Sequence, residues 1–279
     1  MELINIALDQ IKKKSTPEQI FDRYDFFKEY FKVFNHNDKF TEDTIQSLKE
    51  MNINDILDTS HVLEEKVQEK IEKITKDIEL EVLPGMITFI GDESFDGHGI
   101  ILNGKPYVFF DLTAVTRRKD KYNLDMYVTH ELIHSIHYGS QVSFYPGKYK
   151  NIKDKYLKRL IAEGLATFLA NYYNNYNIED SYWLGFLDSD KVREWIINCE
   201  NNKNKIGDKL KVQINRNEFD ENLYLQLFAL PGSDYANGRC GYYYGSQIVE
   251  EAFQDKTVKE LLGMKFYKFE KYIELYFNW

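Results

Sequence analysis

Residues 129–138 read THELIHSIHY and place three of the chain's six histidines within eight positions. His130, Glu131 and His134 form the pattern H-E-x-x-H. On a helix, residues four apart share a face with Cβ atoms about 5–6 Å apart, so two imidazoles can reach one tetrahedral metal ion. Glu131 stands about 100° round the same helix, too far to complete the pair as a ligand. It is near enough to touch water at the metal. The expected chemistry is therefore hydrolysis, with zinc polarising a carbonyl and a carboxylate managing the proton of the attacking water.

A catalytic zinc needs a third protein ligand and one open position. The candidate is Glu163, in YLKRLIAEGLATFLANYY, 29 positions after His134. Leu157, Leu160, Ile161, Leu165, Phe168 and Leu169 make this stretch a strongly apolar helix, in which solvation explains a glutamate poorly. The small neighbours Ala162, Gly164 and Ala166 leave room for a second helix to approach. The competing reading is a surface glutamate on a polar face shared with Arg159 and Lys155. His137 does not stand at the spacing of the longer motif H-E-x-x-H-x-x-G-x-x-H and is expected at the helix end, favoured by the negative pole of the helix dipole, with a role as third ligand as the alternative. His98, in FDGHGI, is expected as a loop residue before a strand, with a role at the cleft as the alternative.

A third stretch, NGRCGYYYGSQIVEEAF, opens a helix on a glycine-rich turn and presents Arg239 and three consecutive tyrosines. Aromatic packing would account for at least two of the three. A remaining hydroxyl could donate to the oxyanion that forms when water attacks a carbonyl. Arg239 could add positive charge there or bind a substrate carboxylate as a fork.

These three stretches together resemble the gluzincin zinc metalloproteases, most closely the DUF2268 type of Zn-dependent protease, over roughly residues 84–255. The resemblance implies His130, His134 and Glu163 as zinc ligands and Glu131 as general base. It matches Tyr242 to the family's Gly-Tyr position and Arg239 to its basic residue. It also implies a strand at the cleft edge that pairs with an extended peptide substrate; PYVFFDLT, around Phe109–Thr113, is expected to be that edge. Many gluzincins carry an aspartate one turn after the ligand glutamate, where it orients the first histidine. Here that position is Thr167, whose hydroxyl can accept the imidazole N–H but carries no charge.

The elements that must position these residues follow from pattern. Asn123 can cap the active helix and Gly139 can end it, while Leu132, Ile133 and Ile136 supply its buried surface. The first 80 residues read as helical. Pro17 opens one helix behind a Ser15 or Thr16 cap, Thr41 caps another, and Val67, Ile71, Ile74 and Ile78 line one face of a third, with His61 at its start. Three strands are expected over about 86–90, 98–102 and 106–111, with Asn103-Gly104 as a hairpin turn. Helices are then expected over about 123–138, 154–175, 180–198, 219–229, 242–255 and 257–277. The fold class is α+β and zincin-like: a small, mostly antiparallel sheet, an active-site helix and a largely helical C-terminal half. The expected division is an N-terminal helical region, 1–80, and a metalloprotease domain, 81–279.

Composition narrows the partners. The formal net charge of −9 argues against a nucleic-acid backbone as partner. The basic runs Lys12–Lys14 and Arg117–Lys119 are expected as solvated loops. No signal segment or membrane span is visible. Cys199 and Cys240 lack a nearby partner, which suits a reducing compartment, so a cytoplasmic location is expected. The expected partner is a peptide or protein substrate. A zinc hydrolase of a small amide, and a metal-stabilised binding protein without turnover, are the rival readings; Glu131 argues against the second, since a structural zinc needs no base.

Overall fold

A computed structural model describes residues 1–12, 17–35, 51–229 and 235–279. The chain is mixed α and β, mostly helical, with one four-stranded sheet. It divides into two compact units, Met1–Gly139 and Ser140–Trp279. The H-E-x-x-H residues lie in the first of these units and Glu163 in the second. The helix expected from Thr41, and the Ser15 or Thr16 cap, lie outside the described residues.

The first unit is built on strands β1 (Leu3–Asn5), β2 (Gly85–Phe89), β3 (Gly97–Leu102) and β4 (Lys105–Asp111), in the order β1-β2-β4-β3. β1, β2 and β4 run parallel, and only β3 is antiparallel, to β4. The expectation of a mostly antiparallel sheet is therefore corrected. Long helical connections make parallel pairing possible between β1 and β2. The β3–β4 turn is the expected hairpin, with positive φ at Asn103 (51°) and Gly104 (80°). β4, expected at the edge, lies between β2 and β3; among the described residues β1 and β3 are the terminal strands.

The N-terminal segment belongs to the sheet's unit because it supplies both a strand and an aromatic cover. Phe26, in helix Asp25–Tyr30, packs its ring 4.9 Å from Phe89, and Tyr30 lies 5.6 Å from Phe109. Phe34 stacks edge-on 5.2 Å from Phe109. The expected stripe Val67, Ile71, Ile74 and Ile78 is buried; its helix runs Ile53–Asp77, so His61 sits within it, exposed, 3.3 Å from Glu65. Arg117 and Arg118 are not in a loop: they end helix Leu112–Arg118 and both pair with Glu93.

β4 passes into that helix through Asp111, whose carboxylate accepts Thr113 N as a cap and also Gly91 N and Glu93 N. Burial pushes this carboxyl up to about 7, against the pull of the three N–H groups. The next helix, Leu124–Ser140, carries the H-E-x-x-H residues. Asn123 Oδ1 accepts Met126 N as the expected cap. Asp125 in its first turn is gripped by Lys70 at 2.7 Å and Lys66 at 3.0 Å, which ties the active helix to helix Ile53–Asp77.

The second unit is helical. Helices Arg159–Asn174 and Cys240–Phe253 cross with their backbones in contact. A Cβ on Gly164 would fall 2.2 Å from the carbonyl carbon of Gly245, and one on Gly245 would fall 2.1 Å from Leu160 O. Helix Ser189–Arg216 is far longer than its expected end at 198. The segment expected as one helix over 257–277 breaks into Val258–Leu262 and Phe266–Phe277. Cys199 and Cys240 are buried free thiols. Among the described residues, no helix is long and apolar enough to cross a membrane.

Because each glycine meets backbone and not a movable side chain, Gly164→Ala and Gly245→Ala should each lower unfolding free energy by at least about 2 kcal/mol. Urea or thermal melts measure this; a loss below about 1 kcal/mol would mean that the two helices separate easily.

Candidate metal centre

Thirteen successive residues of the active helix, Met126–Tyr138, are buried, so its polar side chains are held out of water. His130 and His134 point their Nε2 atoms at each other across 3.2 Å. Two nitrogens about 2.0–2.1 Å from one tetrahedral ion lie ~3.4 Å apart, so the pair fits a shared zinc. Glu131 is buried beside them and is the next residue round the helix.

His98 is the residue that sequence reasoning underrated. It is not in a loop but inside β3, opposite Phe109 in the sheet register. Its Nδ1 lies 3.4 Å from Glu131 Oε2, and its ring centroid is 4.1 Å from that of His134. Tyr138 Oη lies 3.1 Å from His98 Nε2 and 3.4 Å from His134 Nδ1. His98, Glu131 and His134 each offer a ligand atom, and those atoms all lie within 4.8 Å of one another. The available signal was G-H-G: glycines on both sides of a strand histidine mark close approach by another element.

His137 does not sit at an exposed helix end. It is wholly buried, and burial, aided by the neighbouring His134, pushes its pKa down to about 3. A neutral imidazole gains little from the helix dipole, so that expected role is removed.

In the second unit Glu163 is buried, 2 % exposed, which rules out the surface-glutamate reading. Its Oε1 lies 3.4 Å from Arg159 Nε, one turn earlier. Arg159 Nη1 also donates to Tyr224 Oη. Burial works against the Arg159 charge, but Tyr224, Glu163, Tyr242 and Tyr149 more than offset it and hold the guanidinium above its ordinary range. Glu163 and Tyr242 are thus both electrostatic neighbours of one cation. The crossing at Gly164 and Gly245 accounts for this, since Glu163 adjoins one glycine and Tyr242 lies three residues before the other.

The three tyrosines separate by partner. Tyr244 Oη donates to Cys199 O at 2.7 Å, and Tyr243 Oη donates to Glu200 Oε1 at 2.9 Å. The Tyr242 ring lies 3.7 Å from the Arg239 guanidinium carbon, which is also 5.4 Å from the Trp183 ring. Arg239 caps the helix with positive φ, 56°, and is buried. Among the described residues, its Nε and Nη2 have no hydrogen-bond partner, and neither has Thr167 Oγ1.

No family model matches the chain, and no curated protein or solved structure is significantly similar to it.

The hydrogen bond from Tyr244 to a buried carbonyl makes this the structural tyrosine. Tyr244→Phe should cost about 1–2 kcal/mol in a denaturant melt. Equal stability of Tyr244→Phe and the wild type would show that the Cys199 carbonyl needs no such donor.

Proposed function

We propose that the chain is a zinc metallopeptidase of the gluzincin type, in which His130, His134 and Glu163 hold the ion and Glu131 serves as general base. The observation that carries the reading is the 3.2 Å approach of two buried imidazole nitrogens with a carboxylate adjoining them. Buried carboxylates are stable when paired or when they ligate metal, and Glu163 is a buried carboxylate with Arg159 Nε 3.4 Å from its Oε1. Zinc, when bound, would supply Lewis acidity to the substrate carbonyl and to water.

The protein's own groups supply the rest. Glu131 accepts the proton of the attacking water and passes it to the leaving amine. Tyr242, whose neighbours Tyr243 and Tyr244 are engaged elsewhere, donates to the carbonyl oxygen as negative charge develops. Arg239, stacked on the Tyr242 ring, fixes that ring and adds positive charge. β3, as the terminal strand beside the active helix, replaces β4 as the strand that pairs with an extended peptide. A cytoplasmic location agrees with the unbridged cysteines and stays part of this proposal.

One observation favours a second reading. His98, Glu131 and His134 could together ligate a metal, which would make Glu131 a ligand and the site structural.

Glu131→Gln separates the two. The metallopeptidase reading expects zinc retained at one per chain and peptide turnover reduced at least ~10²-fold. Tyr242→Phe, assayed alongside, should lower kcat by ~10²-fold or more with little change in KM, because its bond forms only in the transition state. Loss of zinc from Glu131→Gln would establish the structural reading; activity that survives it would remove Glu131 from the mechanism.

A further inference from the structure

We infer that His98 is a positioning residue, which holds the Glu131 carboxylate in its working orientation through a Tyr138–His98–Glu131 chain of hydrogen bonds. The inference rests on Glu131 as the proposed base.

The argument begins with how close β3 comes to the active helix. A Cβ on Gly99 would fall 2.5 Å from Ser135 N and 2.7 Å from the His134 carbonyl carbon. One on Gly97 would fall 2.6 Å from Tyr127 Oη. At Gly99 the obstacle is backbone and only glycine fits, so G-H-G is the sequence form of a strand pressed onto this helix. The approach carries the imidazole between Phe34, at 5.3 Å, and His134, at 4.1 Å between ring centroids.

Held there, the ring has both nitrogens opposite polar groups. Nε2 meets Tyr138 Oη at 3.1 Å, and Nδ1 meets Glu131 Oε2 at 3.4 Å. One tautomer satisfies both contacts. If Tyr138 donates to Nε2, then Nδ1 carries the proton and donates to the carboxylate. The other tautomer would set a nitrogen lone pair against a carboxylate oxygen. The 3.4 Å bond is long, as catalytic contacts often are before substrate binds. It engages Oε2 of the carboxylate. A glutamate side chain fixed in advance need not lose its rotamer freedom during the reaction.

The test compares full-length wild type with His98→Leu, His98→Asn, Tyr138→Phe and Glu131→Gln. Its first readout does not depend on activity: nitrogen-15 NMR of the imidazoles gives the His98 tautomer. The Nδ1–H form is expected, with its proton resonance displaced in both Glu131→Gln and Tyr138→Phe. The second readout is zinc content and kinetics. His98→Leu should keep one zinc and lose ~10- to 100-fold in kcat, the usual scale for a residue that orients another, with KM changed less than about twofold. His98→Asn sets an amide nitrogen near the place of Nδ1 and should recover most of the loss. On a Glu131→Gln background, His98→Leu should cost nothing more, since the group it positions is already gone.

An Nε2–H tautomer, zinc loss from His98→Leu, or unchanged kcat in that variant would each overturn the inference. Wild-type protein without peptide turnover would overturn the proposed reaction instead, and the tautomer measured on the same sample would still decide whether His98 grips Glu131.

Discussion

His130 and His134 set two basic nitrogens 3.2 Å apart in a buried position, and most of the first unit can be read as what that arrangement requires. One N–H shared between the two nitrogens satisfies that contact, and so would a metal ion held by both, the occupant proposed above. The helix that presents them is fixed at its start by Asp125 between Lys66 and Lys70. It is fixed along its length by β3, pressed against the His134–Ser135 backbone at Gly99. The aromatic cover of Phe26, Tyr30 and Phe34 holds the sheet that carries β3.

The second unit satisfies a different constraint, a helix crossing with no side chain at its centre. Gly164 and Gly245 allow backbone contact, and each stands close in sequence to a residue with proposed chemistry. Arg159 couples them electrostatically, as the partner of Glu163 and a neighbour of Tyr242. Packing and site are therefore one device here. The glycines needed for the crossing are the residues that bring a carboxylate and a phenol into the field of one guanidinium.

Much of this was legible in the residues. H-E-x-x-H names both the helix and its working face, because ligand spacing and helical period coincide. The small residues flanking Glu163 announced a close helix, and Asn103-Gly104 announced the hairpin. The sheet's direction was not legible, since parallel pairing depends on the path of long connections and β1 is only three residues of an otherwise helical segment. His98 was misplaced because a histidine between two glycines reads locally as a loop, although the same two glycines also signal close approach by another element. His137 was misread for the opposite reason: helix-end position suggests charge, but burial removes it. The tyrosine triplet could not be divided by sequence, because its members differ only in partners supplied by helix Ser189–Arg216, much of which was not expected to be helical.

X-ray absorption at the zinc edge, on protein loaded with one equivalent of zinc, tests the central claim most directly. Two imidazole nitrogens and a carboxylate oxygen are expected at about 2.0–2.1 Å, with the imidazole count unchanged in His137→Ala and the affinity sharply reduced in Glu163→Ala. Failure to take up zinc, a third imidazole that disappears in His137→Ala, or unaltered binding by Glu163→Ala would contradict the assignment of His130, His134 and Glu163.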